Sequence, residues 1–326
     1  MKTHLKRKSG IILGKFLPPH LGHQYLIDFA KNYVDDLTVL VGTLKAESIP
    51  GELRYQWMKE MFPTVKVVHV TDENPQYPKE HPDFWNIWKK TILNAVPGGA
   101  DYLFASEDYG WKLAEVIGSR YIPVDHARNL VPVSGTAIRN NPMKYWKYIS
   151  PVVRPYFLKK VCIYGPESTG KSTLTKKLAK HFNTVYCEEY ARPLLDFKNG
   201  EVEYADIEKI ARGHVASEKA LAKQANKILF SDTDAITSLI CSNLLFNKHP
   251  KILDKIIKET RYDLYLVTDI DVPWVDDKVR CFPERKQFLD IAIAELKKRG
   301  RDYVMISGTW EERLRKSIKA VEGILA

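Results

Sequence analysis

Short apolar runs alternate with amphipathic stretches along almost the whole chain. Residues 11–13 form an apolar run that stops at Gly14, and after a mixed loop Leu26, Phe29 and Ala30 recur at helical spacing. The same pattern predicts strands over 37–41, 65–70 and 102–105, with helices over 53–62 and 85–95 between them. A second series starts with a strand at 161–164 and continues with a helix from Ser172, a strand near 185–187 and a long helical stretch over 205–225. A strand at 228–231, helices at 235–246 and 252–259, a strand at 264–268 and a final helix, strand (303–306) and helix complete it. Such alternation predicts an α/β protein of two parallel-sheet domains, each presenting ligand groups at the carboxyl ends of its strands. Between the series, Pro142, Pro151 and Pro155 interrupt an aromatic stretch containing Tyr145, Trp146, Tyr148, Tyr156 and Phe157. The boundary is expected there, giving domains over 1–150 and 151–326, with the aromatics packing the domains together.

Composition agrees with two cores, since 326 residues with 44% hydrophobic content can bury both. Cys162, Cys187, Cys241 and Cys281 are far apart and form no ligand spacing, so neither a disulfide framework nor a zinc site is expected, and a reducing compartment fits. Lys2, Lys6, Arg7 and Lys8 are followed by no apolar leader, and no segment offers the roughly 20 apolar residues of a membrane span. A soluble cytoplasmic protein without a membrane partner is the expectation. The net charge of +10 is spread over both halves without a long Lys/Arg block, which points to small polyphosphates rather than to nucleic acid.

Gly165-Pro166-Glu167-Ser168-Thr169-Gly170-Lys171-Ser172 matches the GxxxxGKS form of a P-loop and lies between a strand and a helix. Its backbone N–H groups are suited to cradle phosphates, Lys171 to reach the β- and γ-phosphates, and the Ser172 hydroxyl to ligate Mg²⁺. Asp232 ends an apolar strand, where an acid holds Mg²⁺ or accepts the substrate hydroxyl proton; Asp234 shares that work or, like Asp232, caps the next helix. Glu189, Tyr190 and Arg192, after a strand, are candidates for the acceptor. Arg280 and Arg285 sit in a charged segment, 276–285, that reads equally as a cover over the phosphates and as a solvated loop.

In the first half, Gly14-Lys15-Phe16-Leu17-Pro18-Pro19-His20-Leu21-Gly22-His23 places two imidazoles at a helix mouth, suited to a nucleotide triphosphate. The matching chemistry is attack by a phosphate oxygen on the α-phosphorus of ATP with pyrophosphate leaving, which rests on positioning and charge stabilisation. Late in the same half, Ser134 and Thr136 are expected to cap a helix with Arg139 on its first turn, suited to the departing pyrophosphate.

Together these elements resemble the HxGH nucleotidyltransferase superfamily, Rossmann-like in fold. Their order, with the P-loop half second, resembles the bifunctional NadR family: nicotinamide-nucleotide adenylyltransferase fused to ribosylnicotinamide kinase. The resemblance covers essentially the whole chain and includes Ser106-Glu-Asp-Tyr-Gly110, the run from Arg139 to Trp146, and Ser231-Asp-Thr-Asp234. It implies ATP-binding roles for Gly14, Lys15, Phe16, His20, His23, Ser134, Thr136 and Arg139, with Mg²⁺ accompanying ATP. It further implies ribosylnicotinamide, nicotinamide mononucleotide and NAD as ligands, and an aromatic nicotinamide pocket. Trp85 and Trp88 are candidates to stack on the pyridinium ring, core packing being the alternative. About ten residues precede the first strand, fewer than the helix-turn-helix domain of some family members needs, so DNA is not an expected partner. A homo-oligomer is compatible with the sequence. Two other readings stay open: a coenzyme A pathway fusion of pantetheine-phosphate adenylyltransferase with dephospho-coenzyme A kinase, and a regulatory protein that senses NAD.

Overall fold

A computed structural model describes residues 7–275 and 284–326. The chain divides into two compact units, Met1–Val153 and Arg154–Ala326. Arg280 and Cys281 lie outside the described residues.

The first unit holds β1 (Ser9–Gly14), α1 (Leu21–Tyr33), β2 (Asp36–Gly42), α2 (Gly51–Met61), β3 (Lys66–Val70), α3 (Phe84–Ala95), β4 (Tyr102–Ala105), α4 (Tyr109–Ile117), β5 (Arg120–Pro123) and α5 (Gly135–Asn140). Its five strands pair in parallel in the order β3-β2-β1-β4-β5. Side chains of successive strand residues point to opposite faces, so the two faces carry different cores. Ile12, Val39, Val41 and Phe104 pack against α1 residues on one side, while Ile11, Leu40, Leu103 and Ala105 pack against Ile92 and Leu113 on the other. The chain leaves β1 toward β2 and β3 and later returns to β4 on its other side. That reversal opens a crevice at the carboxyl end of β1, which is Gly14.

The second unit follows the same logic with α6 (Arg154–Phe157), β6 (Lys159–Tyr164), α7 (Lys171–His181), β7 (Tyr186–Cys187), α8 (Ala191–Phe197), α9 (Tyr204–Ala222), β8 (Ile228–Asp232), α10 (Ala235–Phe246), α11 (Ile252–Glu259), β9 (Leu264–Thr268), α12 (Arg285–Lys298), β10 (Tyr303–Ile306) and α13 (Trp310–Leu325). The parallel order is β10-β9-β6-β8-β7. β8 and β9 are buried along their whole length, which explains their apolar runs Ile228–Phe230 and Leu264–Val267 before the polar carboxyl ends. Register sets Ile163 of β6 opposite Asp232 of β8, so the P-loop and this acid emerge side by side at the carboxyl edge.

The sequence pattern misses α4, β5, α6 and α8. α4 ends at Gly118, left-handed with φ 77°, and β5 has only four residues at a sheet edge, the outer two exposed and none buried, too few to carry a period-2 signal. No helix among the described residues is long and apolar enough to cross a membrane.

Candidate active sites

In the first unit the two histidines cap their own helix. His20 precedes α1 in extended conformation and its Nδ1 accepts from the Gly22 N–H at 3.1 Å, while His23 Nδ1 accepts from the His20 N–H at 3.3 Å. With both Nδ1 atoms accepting, each imidazole carries its proton on Nε2. The rings lie 3.8 Å apart. Burial, aided by the positive charge of Arg128, lowers His20 to about 4, and burial with His20 and Arg128 holds His23 well below its ordinary value. At neutral pH the pair therefore offers two N–H donors and no charge. Gly22 is required here, because a Cβ would stand 2.9 Å from His20 Cε1.

Phe16, expected at the nucleotide, is 1% exposed and belongs to the core; left-handed at φ 47°, it packs edge-on against His23 at 4.9 Å and buttresses that ring. Lys15 reaches Glu47 Oε1 at 3.1 Å. Glu47 in turn pairs with Arg54, which is fully buried and donates to the carbonyls of Ile49, at 3.1 Å, and of Lys15. Burial raises the Glu47 carboxyl, but the Leu44 amide, Arg54 and Lys15 outweigh it and hold it below its ordinary value. Arg54 thus fixes the turn after β1. Sequence reading passed over it, although a basic residue on the apolar face that carries Trp57 and Met58 was a usable signal.

α5 docks on the same turn. Arg139 donates to the Leu17 carbonyl and, at 3.1 Å, to Thr136 Oγ1; a Cβ on Gly135 would collide with the Leu17 carbonyl. Ser134 caps the helix by accepting from the Ala137 N–H at 3.1 Å. Two expectations are corrected: Thr136 accepts from Arg139 rather than capping, and Arg139 stands in the last turn because the helix has only six residues. Beside Gly14 and Lys15 opens a cavity of about 490 Å³ walled by Tyr77, Phe84, Trp85, Trp88, Tyr109 and Trp111. Trp85 and Trp88 line this cavity and also pack against the core, and the Trp88 Nε1–H is anchored on the Pro75 carbonyl at 2.9 Å. Tyr109 and Trp111 were missed with α4.

In the second unit the loop after β6 needs left-handed backbone at Gly165 (φ 134°), Ser168 (φ 56°) and Gly170 (φ 83°). Thr169 Oγ1 donates to the Pro166 carbonyl at 2.8 Å, and Lys171 Nζ folds back to that carbonyl at 2.8 Å. Arg313 of α13, 1% exposed, donates to the carbonyls of Thr169, Asp269 and Gly308 and pairs with Asp271. Arg285 donates to the Val272 carbonyl at 2.8 Å and approaches the Ser168 carbonyl at 3.4 Å.

Asp232 and Asp234 separate in role. Asp234 accepts at Oδ1 from the Ile236 and Thr237 N–H groups at 3.0 and 3.1 Å, and at Oδ2 from the Tyr265 hydroxyl at 2.9 Å. It is the cap of α10. Asp232, 2% exposed, caps nothing: the Ser172 hydroxyl hydrogen-bonds its carboxyl, and Oδ1 has no partner among the described residues. Burial and the Glu189 charge raise it to about 6 against the pull of Lys171, Ser172 and Arg192. A cavity of about 250 Å³ runs from Glu167 through Ser172 past Glu189, Tyr190 and Arg192 to an apolar end at Leu195, Val202 and Ile207. His214, buried on α9, lines it and was missed for want of any motif.

A family model described as an AAA domain matches residues 160–313. The chain is similar to solved structures of a NadR protein in complex with NAD and AMP-PNP (TM-score 0.81, 24% identity, covering 98% of this chain and 96% of that one). It is equally similar to one in complex with NR (TM-score 0.81, 25% identity, covering 97% and 95%). It is 32% identical over 327 residues to the trifunctional NAD biosynthesis/regulator protein NadR of Escherichia coli (strain K12), an alignment spanning 92% of this chain and 79% of that protein. With two parallel α/β units of this order and likeness at that level over most of both sequences, the chain belongs to the NadR family.

Proposed function

We propose that this chain is a bifunctional enzyme of NAD biosynthesis in which each unit handles its own ATP. The second unit phosphorylates the 5′-hydroxyl of ribosylnicotinamide, and the first joins the resulting mononucleotide to the adenylyl group of ATP, releasing pyrophosphate and NAD. The observation that carries this reading is that each unit joins a phosphate-binding turn to a cavity lined for a nucleoside: aromatic beside Gly14 and Lys15, partly apolar beyond the P-loop. Nicotinamide nucleotides carry a flat cationic ring, which gains from the indole faces of Trp85 and Trp88. Membership of the NadR family weighs against the coenzyme A fusion, and intact Lys171, Ser172 and Asp232 weigh against a protein that only senses NAD.

In the kinase unit, the P-loop amides hold the phosphates and Lys171 exchanges the Pro166 carbonyl for a phosphate oxygen. Asp232, with an orphaned oxygen beside the Ser172 hydroxyl, suits either acceptance of the 5′-hydroxyl proton or, with Ser172, retention of Mg²⁺. When bound with ATP, Mg²⁺ neutralises β- and γ-phosphate oxygens. In the adenylyltransferase unit, the Nε2–H groups of His20 and His23 donate to the triphosphate, and Lys15 and Arg139 meet the charge that moves onto pyrophosphate. The free thiols of Cys162, Cys187 and Cys241 suit the cytoplasm.

The test is chromatographic identification of products after the purified chain receives ATP, Mg²⁺ and ribosylnicotinamide. Mononucleotide followed by NAD is expected; ATP consumption without either product removes the proposal.

A further inference from the structure

The segment after β5 turns back over the start of α1 and is tied to the Ser106–Gly110 element by an ion pair and a histidine–carboxylate hydrogen bond. Arg128 Nη2 stands 2.5 Å from Glu107 Oε1, and His126 Nε2 stands 2.7 Å from Asp108 Oδ1. Asp125 folds the segment into a tight loop by accepting from the N–H groups of Leu130 and Val131, both at 3.2 Å, and Arg128 N–H donates to the Asp125 carbonyl at 2.8 Å. Asp125 (φ 45°) and Arg128 (φ 52°) are both left-handed without being glycine, a conformation that persists only where the surroundings impose it. The loop lies on the histidine turn: a Cβ on Gly22 would be 3.8 Å from Val131 Cγ1.

The charges already assigned to this site are largely committed. His20 and His23 are neutral, Lys15 and Arg54 share Glu47, and Arg139 is held by the Leu17 carbonyl and Thr136. A polyanionic triphosphate needs more positive charge than that set has free. Arg128 is near enough for its charge to be felt by both imidazoles, yet its side chain is 43% exposed and rests against a carboxylate that is 54% exposed. An ion pair so open to water costs little to break.

We propose that Arg128 is a further phosphate-binding residue of the adenylyltransferase site, held in reserve by Glu107 until a polyphosphate takes the place of that carboxylate. The inference rests on the adenylyltransferase reading of the first unit. It makes Glu107 a competitor of the nucleotide, not a support for the loop, and the two roles forecast opposite signs.

The experiment measures NAD formation by the full chain and by R128A, R128K, E107Q and the R128A/E107Q pair. The readouts are KM for ATP, KM for mononucleotide and inhibition by pyrophosphate, with kinase activity of the same preparations reporting intact folding. R128A is expected to raise KM for ATP and weaken pyrophosphate inhibition on the order of tenfold to a hundredfold, the effect of one charge-assisted contact, with R128K between. E107Q is expected to lower KM for ATP and strengthen pyrophosphate inhibition, and to do neither once Arg128 is gone. R128A within about twofold of the unsubstituted chain on both readouts overturns the proposal. So does E107Q that weakens ATP use or leaves it unchanged, since a loop tie would behave that way. An unsubstituted chain that forms no NAD defeats the parent reading as well, whereas NAD formation that is indifferent to these variants defeats this inference alone.

Discussion

Replacing Asp232 by Asn should make the kinase unit more stable and nearly inactive. The carboxyl is 2% exposed and raised from 3.8 to about 6, so keeping it ionised in the folded protein costs about 1.4 kcal/mol for each pKa unit, or roughly 3 kcal/mol. Its folded-state value lies above the unfolded one, so folding takes up a proton in the interval between them. The cost is accordingly absent below about pH 4, grows through pH 4–6 and is complete above that range. Asn removes the charge at nearly constant shape, and the partnerless Oδ1 is exchanged for another partnerless atom, so the ionisation cost dominates the difference. Hydrogen exchange of β6 and β8 amides reports this unit locally, and at pH 7.5 it should slow by up to about a hundredfold in Asp232→Asn, the gain vanishing near pH 4. Kinase turnover should fall about 10²–10⁴-fold if the acid takes the hydroxyl proton. Unchanged exchange at pH 7.5, or a gain that persists undiminished at pH 4, would refute the electrostatic argument; turnover within about threefold of the parent would remove Asp232 from the chemistry.

The remaining predictions use the separation of the sites. Lys171→Ala should abolish phosphorylation of ribosylnicotinamide and spare adenylylation of the mononucleotide, and His23→Ala the reverse, each by about 10²–10³ in rate; equal loss of both activities in either variant contradicts two sites. Arg313→Met leaves three carbonyls without their guanidinium donor, so it should destabilise the second unit by about 1–3 kcal/mol and raise KM for ATP in the kinase reaction; a normal unfolding midpoint and KM would contradict the role given to it. With Asp232 raised to about 6 and His20 lowered to about 4, the ratio of kinase to adenylyltransferase activity in one preparation should fall between pH 7.5 and 5.5, and parallel profiles would count against it.

Strand-helix alternation was legible because strands buried on both faces are largely apolar; Ile228–Phe230 and Leu264–Val267 are such runs. The elements that escaped have local reasons. α8 carries Pro193 and buries no residue, so it offers no apolar stripe; α4 begins inside Ser106–Gly110 and buries Leu113, Ala114 and Ile117, a short stripe that the irregular start at Ser106–Asp108 and the early stop at Gly118 obscured. Missing α4 meant missing Tyr109 and Trp111, which complete the aromatic cavity that Trp85 and Trp88 begin.

Residues proposed to touch phosphate were readable from short motifs, because backbone cradles and capped helix starts demand fixed spacing. The residues that hold those motifs in place were not. Arg313 reaches Thr169 across 144 positions and Arg54 reaches Lys15 across 39; an arginine on an apolar helix face hints at burial, but no local pattern records which carbonyls it satisfies. The two units also depend on charge differently. The first presents neutral imidazoles whose donor direction is set by their own helix cap, and it keeps its cations paired with Glu47 and Glu107. The second relies on backbone amides, one lysine and a carboxylate raised toward neutrality. A site built from neutral donors and paired cations must exchange internal partners for the ligand, whereas a site built on backbone is already formed. That difference explains why motif reading reached further into the second unit, where the chain itself makes the cradle, than into the first, where side chains from β1, α2 and α5 have to be brought together.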